Sequence, residues 1–302
     1  EDLRALDLLD SGEGWVVGGR GTVWTTPDAG LGWNPQWSGV EEDLYGVDFV
    51  HPLAGWAAGD AGTVLHTFNA GRSWVKQETG ATQDLRAIAF ADGLRGAAVG
   101  EGGTILVTDD GGASWQRLYG DTYYTLRGVA MRDVRHIVAV GNNRTITVSN
   151  DGTNFNRLEN LETVRNLTAV TTAGSLHAWA VGDQGTILRT SDGGAQWELV
   201  ESPTSADLHA VWFVDEAHGF AAGEDGVVLE TSDQGASWTL LSIASIGWLR
   251  SVVAADTERC WAVGDDGTVL VTVDGGGTWS PRQAPTTARL SDVTTPDGEM
   301  LW

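Results

Sequence analysis

The chain has 302 residues, of which 41 are glycine and 15 tryptophan, with only 7 prolines and a single cysteine. Its formal net charge of −23 repels nucleic acid and anionic membranes at long range, and one cysteine excludes an intrachain disulfide framework. An apolar content of 41% is too high for a disordered chain. No apolar run reaches the ~20 residues that span a bilayer, so we expect no transmembrane segment.

Internal repetition organises the whole sequence. One leucine recurs every 41 residues and opens each repeat, at Leu3, Leu44, Leu85, Leu126, Leu167, Leu208, Leu249 and Leu290. Single hydrophobic cores stop growing near ~250–300 residues, but repeats pack only on their neighbours and escape this limit. We therefore predict one domain over residues 1–302, with seven complete repeats and a partial repeat at 290–302.

Each repeat predicts four short strands, A to D. Strand A is exemplified by Leu85–Phe90 and strand B by residues 179–182, and a tight turn at 183–185 leads to strand C at residues 186–190. A glycine-rich turn then precedes Trp197 and strand D. Four strands in ~40–45 residues are typical of a propeller blade. The sequence thus predicts an all-β, seven-bladed β-propeller.

The turn between strands C and D carries a recognisable motif. It reads TDDGGASW from Thr108 to Trp115 and resembles the Asp-box, S/T-x-D-x-G-x-x-W. The Asp accepts hydrogen bonds from turn amides, Gly permits positive φ, and the Trp wedges between blades. Six repeats have this tryptophan, at Trp33, Trp74, Trp115, Trp197, Trp238 and Trp279. In repeat four the turn is one residue short and ends on Phe155.

The complete unit, LRxVxF…GWAVGDxGTILxTxDGGxxW, resembles the Ycf48-like photosystem II assembly factor family, whose repeats are of the BNR type. The resemblance extends over residues 3–302. It implies a non-enzymatic protein-binding or scaffold propeller that acts outside the cytoplasm and binds its partner through an arginine-rich patch. Two alternatives remain: an Asp-box glycoside hydrolase or carbohydrate-binding propeller, and a structural subunit of an extracellular or surface assembly.

The acidic residues argue against an enzyme. A glycosidase needs two carboxylates at a defined separation, but five acids recur after the strand-B glycine, at Asp60, Glu101, Asp183, Glu224 and Asp265. Recurrence in five blades indicates turn chemistry. The six histidines form no HxH, HExxH or Cys/His cluster. We therefore expect no catalytic residues, no metal and no cofactor.

Repeat four departs most from the pattern. Residues 117–165 hold seven arginines against five acids, a charge of +2, whereas the remainder of the chain is −25. We define the first face as that of the D–A loops and B–C turns, and the second face as that of the A–B loops and Asp-boxes. The sequence predicts a protein-binding patch on the first face, for a partner with an acidic or mixed-charge segment: Tyr119, Tyr123, Tyr124, Arg127, Arg144 and Arg165. The alternative is a degenerate blade whose arginines pair with local acids.

A rim of residues near the start of each strand A, together with two D–A loop tryptophans, is a secondary candidate on the same face: Arg4, Trp37, Tyr45, Arg86, His209, Trp248 and Arg250. Acids precede several of the repeat leucines, so the rim could instead pair with itself, and the two tryptophans could instead cover the core.

Residues 290–302 continue the repeat register with Leu290, Val293 and Trp302. Fewer than two strands cannot close a blade, so we expect this segment to lie beside Gly14–Trp37 or outside the propeller. The N-terminal Leu3, Leu6 and Leu8 compete for the same place and fit the apolar pattern better.

Overall fold

A computed structural model describes residues 2–9, 11–28, 32–159, 161, 163–241, 247–283 and 289–293. These residues form seven four-stranded antiparallel sheets, one for each 41-residue repeat, with strands A, B, C and D in sequence order. The chain is a seven-bladed all-β propeller, and the fold prediction is confirmed. Within the described part of the chain no helix is long and apolar enough to cross a membrane.

The first compact unit comprises Glu1–Gly141 and Thr145–Leu158 and contains sheets 1 to 4. Its strands are β1 (Leu3–Leu8), β2 (Gly14–Gly18), β3 (Thr22–Thr26), β4 (Asn34–Trp37), β5 (Leu44–His51), β6 (Ala54–Gly59), β7 (Val64–Thr67), β8 (Val75–Lys76), β9 (Leu85–Phe90), β10 (Gly96–Gly100), β11 (Ile105–Thr108), β12 (Gln116–Leu118), β13 (Leu126–Met131), β14 (Ile137–Gly141), β15 (Thr145–Ser149) and β16 (Asn156–Arg157). Strand A of each sheet contacts strand A of the next: β1 with β5, β5 with β9, and β9 with β13.

The second unit comprises Asn142–Arg144 and Glu159–Trp302 and contains sheets 5 to 7. Its strands are β17 (Leu167–Ala173), β18 (His177–Gly182), β19 (Ile187–Thr190), β20 (Glu198–Val200), β21 (Leu208–Phe213), β22 (Gly219–Gly223), β23 (Val228–Thr231), β24 (Thr239–Leu240), β25 (Leu249–Ala254), β26 (Cys260–Gly264), β27 (Thr268–Thr272) and β28 (Ser280–Gln283). Here too the A strands meet, β17 with β21 and β21 with β25. Cys260 is fully buried, which raises the pKa of its thiol well above the ordinary value.

Short 3₁₀ turns join strands B and C wherever the Asp-x-Gly or related sequence occurs. Their bounds are Gly19–Gly21, Asp60–Gly62, Glu101–Gly103, Asp183–Gly185, Glu224–Gly226 and Asp265–Gly267. The final glycine has φ between 65° and 71° in all six. A Cβ on Gly62 would lie 2.2 Å from the carbonyl oxygen of Ala81, so this position excludes every side chain. The five repeated acids begin these turns, as the sequence predicts.

A recurring cluster of three aromatic rings, called the aromatic lock below, joins consecutive sheets within each unit. The ring of Trp15 stacks on Phe49 of the next sheet at 3.5 Å between centroids, and its indole N–H donates to the carbonyl of Ala70 at 3.1 Å. Trp74 meets Phe49 edge-on at 5.8 Å. The same lock recurs with Trp56, Phe90 and Trp115, and with Trp179, Phe213 and Trp238. It buries large rings without leaving the donor of the stacked tryptophan unsatisfied.

The Asp-box turns have the geometry that their motif predicts. In sheet 3, Asp110 accepts hydrogen bonds from the Thr108 hydroxyl at 2.9 Å and from the backbone N–H of Ser114 at 2.8 Å. The Ser114 hydroxyl donates to the second carboxylate oxygen of Asp110 at 2.6 Å. In repeat four, Asp151 binds the shortened turn instead, and Phe155 is buried in the apolar cluster between sheets 3 and 4.

The structure shows where the two candidate segments for the place beside Gly14–Trp37 lie, the N-terminal residues and the start of 290–302. The N-terminal strand β1 pairs with β2, so it occupies the place beside Gly14–Gly18. Leu290 donates its N–H to the carbonyl of Gly264 at 2.9 Å, and Val293 is buried in the apolar cluster of sheet 7. Residues 294–302, including Trp302, lie outside the described residues.

Candidate functional site

The aromatic part of the predicted patch is exposed. Tyr119, Tyr123 and Tyr124 lie in the D–A loop between β12 and β13, and Arg127 follows at the start of β13. Tyr119 and Tyr123 are 79% and 85% exposed, and Arg127 is exposed as well. The guanidinium of Arg157 lies 5.7 Å from the ring centroid of Tyr124. The first unit thus presents three tyrosines and an arginine from one loop and the adjoining strand.

The other two residues of the predicted patch belong to the second unit. The backbone N–H of Arg144 donates to the carbonyl of Arg165 at 2.9 Å, so the two arginines are held side by side. The neighbouring Asn143 donates its N–H to the side-chain oxygen of Asn166 at 2.8 Å. The patch assignment itself stays a prediction.

Arg144 has an unfavourable backbone conformation. Its φ is +52°, and Asn143 before it has φ +53°. In the other six repeats the position of Arg144 is glycine. A non-glycine residue in the left-handed region costs about 1 kcal/mol, and such strain clusters at functional sites. The sequence alone shows the missing glycine but not the retained positive φ.

Five rim residues, Arg4, Tyr45, Arg86, His209 and Arg250, occupy an irregular position of strand A that the sequence did not show. In every sheet the pairing of strand A with strand B skips the second residue of strand A, which forms a β-bulge next to the repeat leucine. The skipped residues are Arg4, Tyr45, Arg86, Arg127, Thr168, His209 and Arg250. A bulge frees a side chain from the alternation of the strand, so these side chains are available to each other and to solvent.

The rim of the first unit is a closed polar cluster. Tyr45 lies between two guanidinium groups, that of Arg4 at 4.7 Å and that of Arg86 at 4.3 Å from its ring centroid. Arg4 pairs with Asp43 at 2.6 Å, and Arg86 pairs with Asp84 at 2.9 Å. Burial and a hydrogen bond with Asp60 raise the pKa of Tyr45. The arginines of this rim are therefore already paired.

The rim of the second unit is built in the same way. Arg250 makes a bidentate pair with Asp265, at 3.0 and 2.8 Å, and its guanidinium lies 4.8 Å from the ring centroid of Trp248. That hydrogen-bonded pair lowers the pKa of Asp265. Burial and the nearby charge of Arg250 lower the pKa of His209. Both effects favour the neutral imidazole of His209.

The acids that precede strand A stabilise turns of the preceding repeat. The side chain of Asp43 accepts the backbone N–H of Arg20 at 2.8 Å, and that of Asp84 accepts the N–H of Ala61 at 3.0 Å. Asp207 does the same for Gln184 at 2.7 Å. Together with the ion pairs, these contacts show that Arg4, Arg86 and Arg250 are each paired with an acid, while the role of the rim in binding stays a prediction.

Trp37 differs from the rest of the rim because it is 84% exposed. Trp37 ends β4, the outer strand of its sheet, and at this exposure it does not cover the core. Trp248 is 41% exposed, with its ring beside Arg250.

One pair of acids escaped the sequence analysis. Asp7 and Asp48 lie at the same position of strands β1 and β5, where Ala89 and Ala130 stand in the next two repeats. Asp7 accepts the N–H of Phe49, and Asp48 accepts that of Phe90 at 2.6 Å. Each hydrogen bond therefore links strand A of one sheet to strand A of the next. Burial, and then the charge of Asp7, raises the pKa of Asp48 to about 8.

No metal site is apparent in the parts of the chain that the structure describes, where no group of three or more His, Cys, Asp or Glu side chains could hold an ion. His136 and His218 each pair with an aspartate three residues earlier, at 2.7 and 2.9 Å. These histidines serve the A–B loops of their own blades.

The sequence and the structure can now be compared with known proteins. The family model described as photosynthesis system II assembly factor YCF48 matches residues 32–123 and 190–280, more than half of the chain. The chain belongs to this family. No curated protein matches it significantly. The recurring blade and its aromatic lock are accordingly features of a YCF48-family member.

Solved structures of YCF48 and of a designed protein have a fold similar to that of this chain. YCF48 bound to D1 peptide is 22% identical, with a TM-score of 0.72 over 90% of this chain and 91% of that chain. YCF48 from Cyanidioschyzon merolae is 20% identical, with a TM-score of 0.69 over 91% and 96% of the two chains. The computationally designed Ika8 protein is 16% identical, with a TM-score of 0.81 over 99% and 94%.

Proposed function

We propose that this YCF48-family chain is a non-enzymatic assembly factor that binds a segment of a protein partner on its first face. The observation that carries the proposal is the exposure of Tyr119 and Tyr123, 79% and 85%, beside the exposed Arg127. Tyrosine and arginine are the residue types that supply most of the binding energy at protein interfaces. The similar YCF48 structure is described as bound to a D1 peptide, which supports a peptide segment as the ligand.

Charge supports a partner with an acidic or mixed-charge segment. Residues 117–165 carry +2 on a chain whose remainder is −25, so this area attracts negative groups that the rest of the surface repels. Arg144 and Arg165, joined by a backbone hydrogen bond in the second unit, are separate candidates for contacting the partner. The rim arginines Arg4, Arg86 and Arg250 are weaker candidates, because each already pairs with an acid.

The test is direct binding of a fluorescent D1 peptide, followed by polarisation. We expect the double variant Tyr119→Ala, Tyr123→Ala to weaken binding at least tenfold, since each tenfold loss equals ~1.4 kcal/mol and a buried hot spot costs ~2 kcal/mol or more. The pair Arg144→Ala, Arg165→Ala tests the second unit separately and should also lower the salt sensitivity of the binding that remains, because fewer charged contacts are left to be screened.

The matched control is Leu94→Ala, which removes a side chain that is 60% exposed, from an A–B loop on the second face of the first unit. It should leave both affinity and melting temperature unchanged. Normal affinity in the tyrosine double variant would contradict the proposed site. A lowered melting temperature with normal affinity would show that these residues serve only blade four.

Two parts of the proposal need their own measurements. A glycan-hydrolysis screen addresses the rival enzyme: turnover that disappears in Asp7→Asn or Asp48→Asn would contradict a non-enzymatic function. We also propose an extracytoplasmic location, supported by the Ycf48-like repeat. Fractionation of native cells with an antibody to the chain tests it, and recovery with the cytoplasmic proteins would contradict it.

A further inference from the structure

The Asp-box of blade 5 lacks a contact that the boxes of blades 3, 6 and 7 have. In those blades a hydroxyl four residues after the Asp donates to its outer carboxylate oxygen, from Ser114, Ser237 and Thr278, at 2.6 to 2.7 Å. In blade 5 this position is Gln196, which bonds Asp192 only through its backbone N–H, at 3.0 Å. Among the described residues no hydroxyl at this position donates to the outer oxygen of Asp192, whose other hydrogen bonds come from Thr190 and from the backbone of Ala195 and Gln196.

A second difference lies beside it. The box tryptophans of blades 2, 3 and 6 meet a phenylalanine of strand A edge-on. In blade 5 the corresponding strand-A residue is Thr172, which has no ring for Trp197 to contact. Trp74 and Trp238 are buried, whereas Trp197, like Trp115, is only half-buried. Its ring is therefore less enclosed than theirs.

These two differences meet in a cleft of about 210 Å³ at the outer edge of blade 5. Trp197 lines it with Asp192 and Gln196, and the ion pair of Arg189 with Glu198 forms another part of its wall. Backbone and hydroxyl hydrogen bonds outweigh burial and lower the pKa of Asp192, so its carboxylate is charged and can only accept hydrogen bonds. Ligand pockets for drug-sized molecules begin near ~300 Å³, so this cleft suits one small ring.

We propose that this cleft binds a single neutral pyranose ring. Such a ring presents apolar C–H groups on its faces and hydroxyl donors around its edge. Trp197 supplies an aromatic surface for a ring face, and the outer oxygen of Asp192, which lacks the hydroxyl donor of blades 3, 6 and 7, accepts from a sugar hydroxyl. The amide of Gln196 and the Arg189–Glu198 pair offer both donors and acceptors to the remaining hydroxyls. This site is independent of the first-face residues proposed for the protein partner.

The test is a titration of the intact chain with the methyl glycosides of glucose, galactose and mannose, by saturation-transfer NMR and calorimetry. We expect millimolar binding of at least one glycoside. The decisive variant is Gln196→Ser, which restores the hydroxyl that caps the Asp in blades 3 and 6. It should weaken binding at least tenfold without lowering the melting temperature, whereas Trp197→Ala should abolish binding but also loosen the blade.

The matched control is Ser237→Ala, which uncaps the Asp of blade 6 and should leave glycoside affinity unchanged. A parallel titration with dextran distinguishes two sources of the sugar ring. Dextran can enter the cleft only through the ring at its chain end, so binding of dextran indicates a polymer end, whereas binding of the methyl glycosides alone indicates a free sugar. The proposal is overturned if no glycoside binds the unmodified chain. It is also overturned if the Gln196→Ser variant binds a glycoside as tightly as the unmodified chain does. A saturable response to methylammonium but to no glycoside would also overturn it, because a cation needs only the Asp192 charge.

Discussion

Asp48→Asn is expected to stabilise the protein, although it changes a side chain that is hydrogen-bonded to strand A of the next sheet. The substitution leaves an amide oxygen that can still accept the N–H of Phe90, now 2.6 Å from the carboxylate. It removes an acid that burial and the charge of Asp7 disfavour in its ionised form, since both raise the pKa of Asp48 from 3.8 to about 8. Wild-type Asp48 therefore keeps its proton in the folded state when the unfolded chain has lost it.

The sign and size follow from proton linkage. Between pH 3.8 and about 8 the folded state binds the extra proton, so the free energy of unfolding falls as pH rises through this window. Each pKa unit corresponds to ~1.4 kcal/mol, which sets a ceiling on the order of 5 kcal/mol. Because Asp7 and Asp48 titrate together, we expect about half of that, ~2–3 kcal/mol, at pH 8.

Urea unfolding followed by tryptophan fluorescence measures the difference between Asp48→Asn and wild type at pH 5, 6, 7 and 8. The stability gain of the variant should be small at pH 5 and increase towards pH 8. A difference that stays constant over this range, or a variant less stable than wild type at pH 8, would refute the reasoning.

Three further expectations follow from the lock, the Asp-box and the strained turn. Trp179→Phe keeps the stacking but loses the 2.8 Å hydrogen bond to the carbonyl of Gln234, so urea unfolding should show a loss of ~1 kcal/mol, against ~3–5 kcal/mol for Trp179→Ala. Asp110→Asn should lower the melting temperature at pH 7, and this loss should shrink as the pH falls below 3.8, because the hydrogen bonds from Ser114 lower the pKa of Asp110 and weaken when it is protonated. Arg144→Gly should raise the free energy of unfolding by up to ~1 kcal/mol, since glycine adopts φ +52° without strain, while weakening peptide binding.

The candidate site could be predicted only in part from the sequence. Repeat four is basic and breaks the repeat pattern, so the sequence pointed to Tyr119, Tyr123 and Arg127 as candidate binding residues. Such exceptions are easy to find because the other repeats follow the pattern closely. The same reasoning did not show that Arg4 and Arg86 are already paired with acids around Tyr45. Arg4 pairs with Asp43, 39 positions away, whereas Arg86 pairs with Asp84 only two positions away. The order of residues permits both kinds of pair, but only the folded chain shows which of them form.

The sequence by itself determined the blade: its 41-residue period, its four strands, its glycine turns and its Asp-box all depend on neighbours within one repeat. Local hydrogen bonds and side-chain alternation decide these features, so they can be read from the order of residues. Only the tertiary structure decided the bulge that frees each rim residue, the acid pair of Asp7 and Asp48, and the uncapped Asp192 beside Trp197. The acid pair depends on contacts between two sheets, the bulge on how strands A and B pair, and the cleft on the packing around Trp197. The order of residues does not give any of these directly.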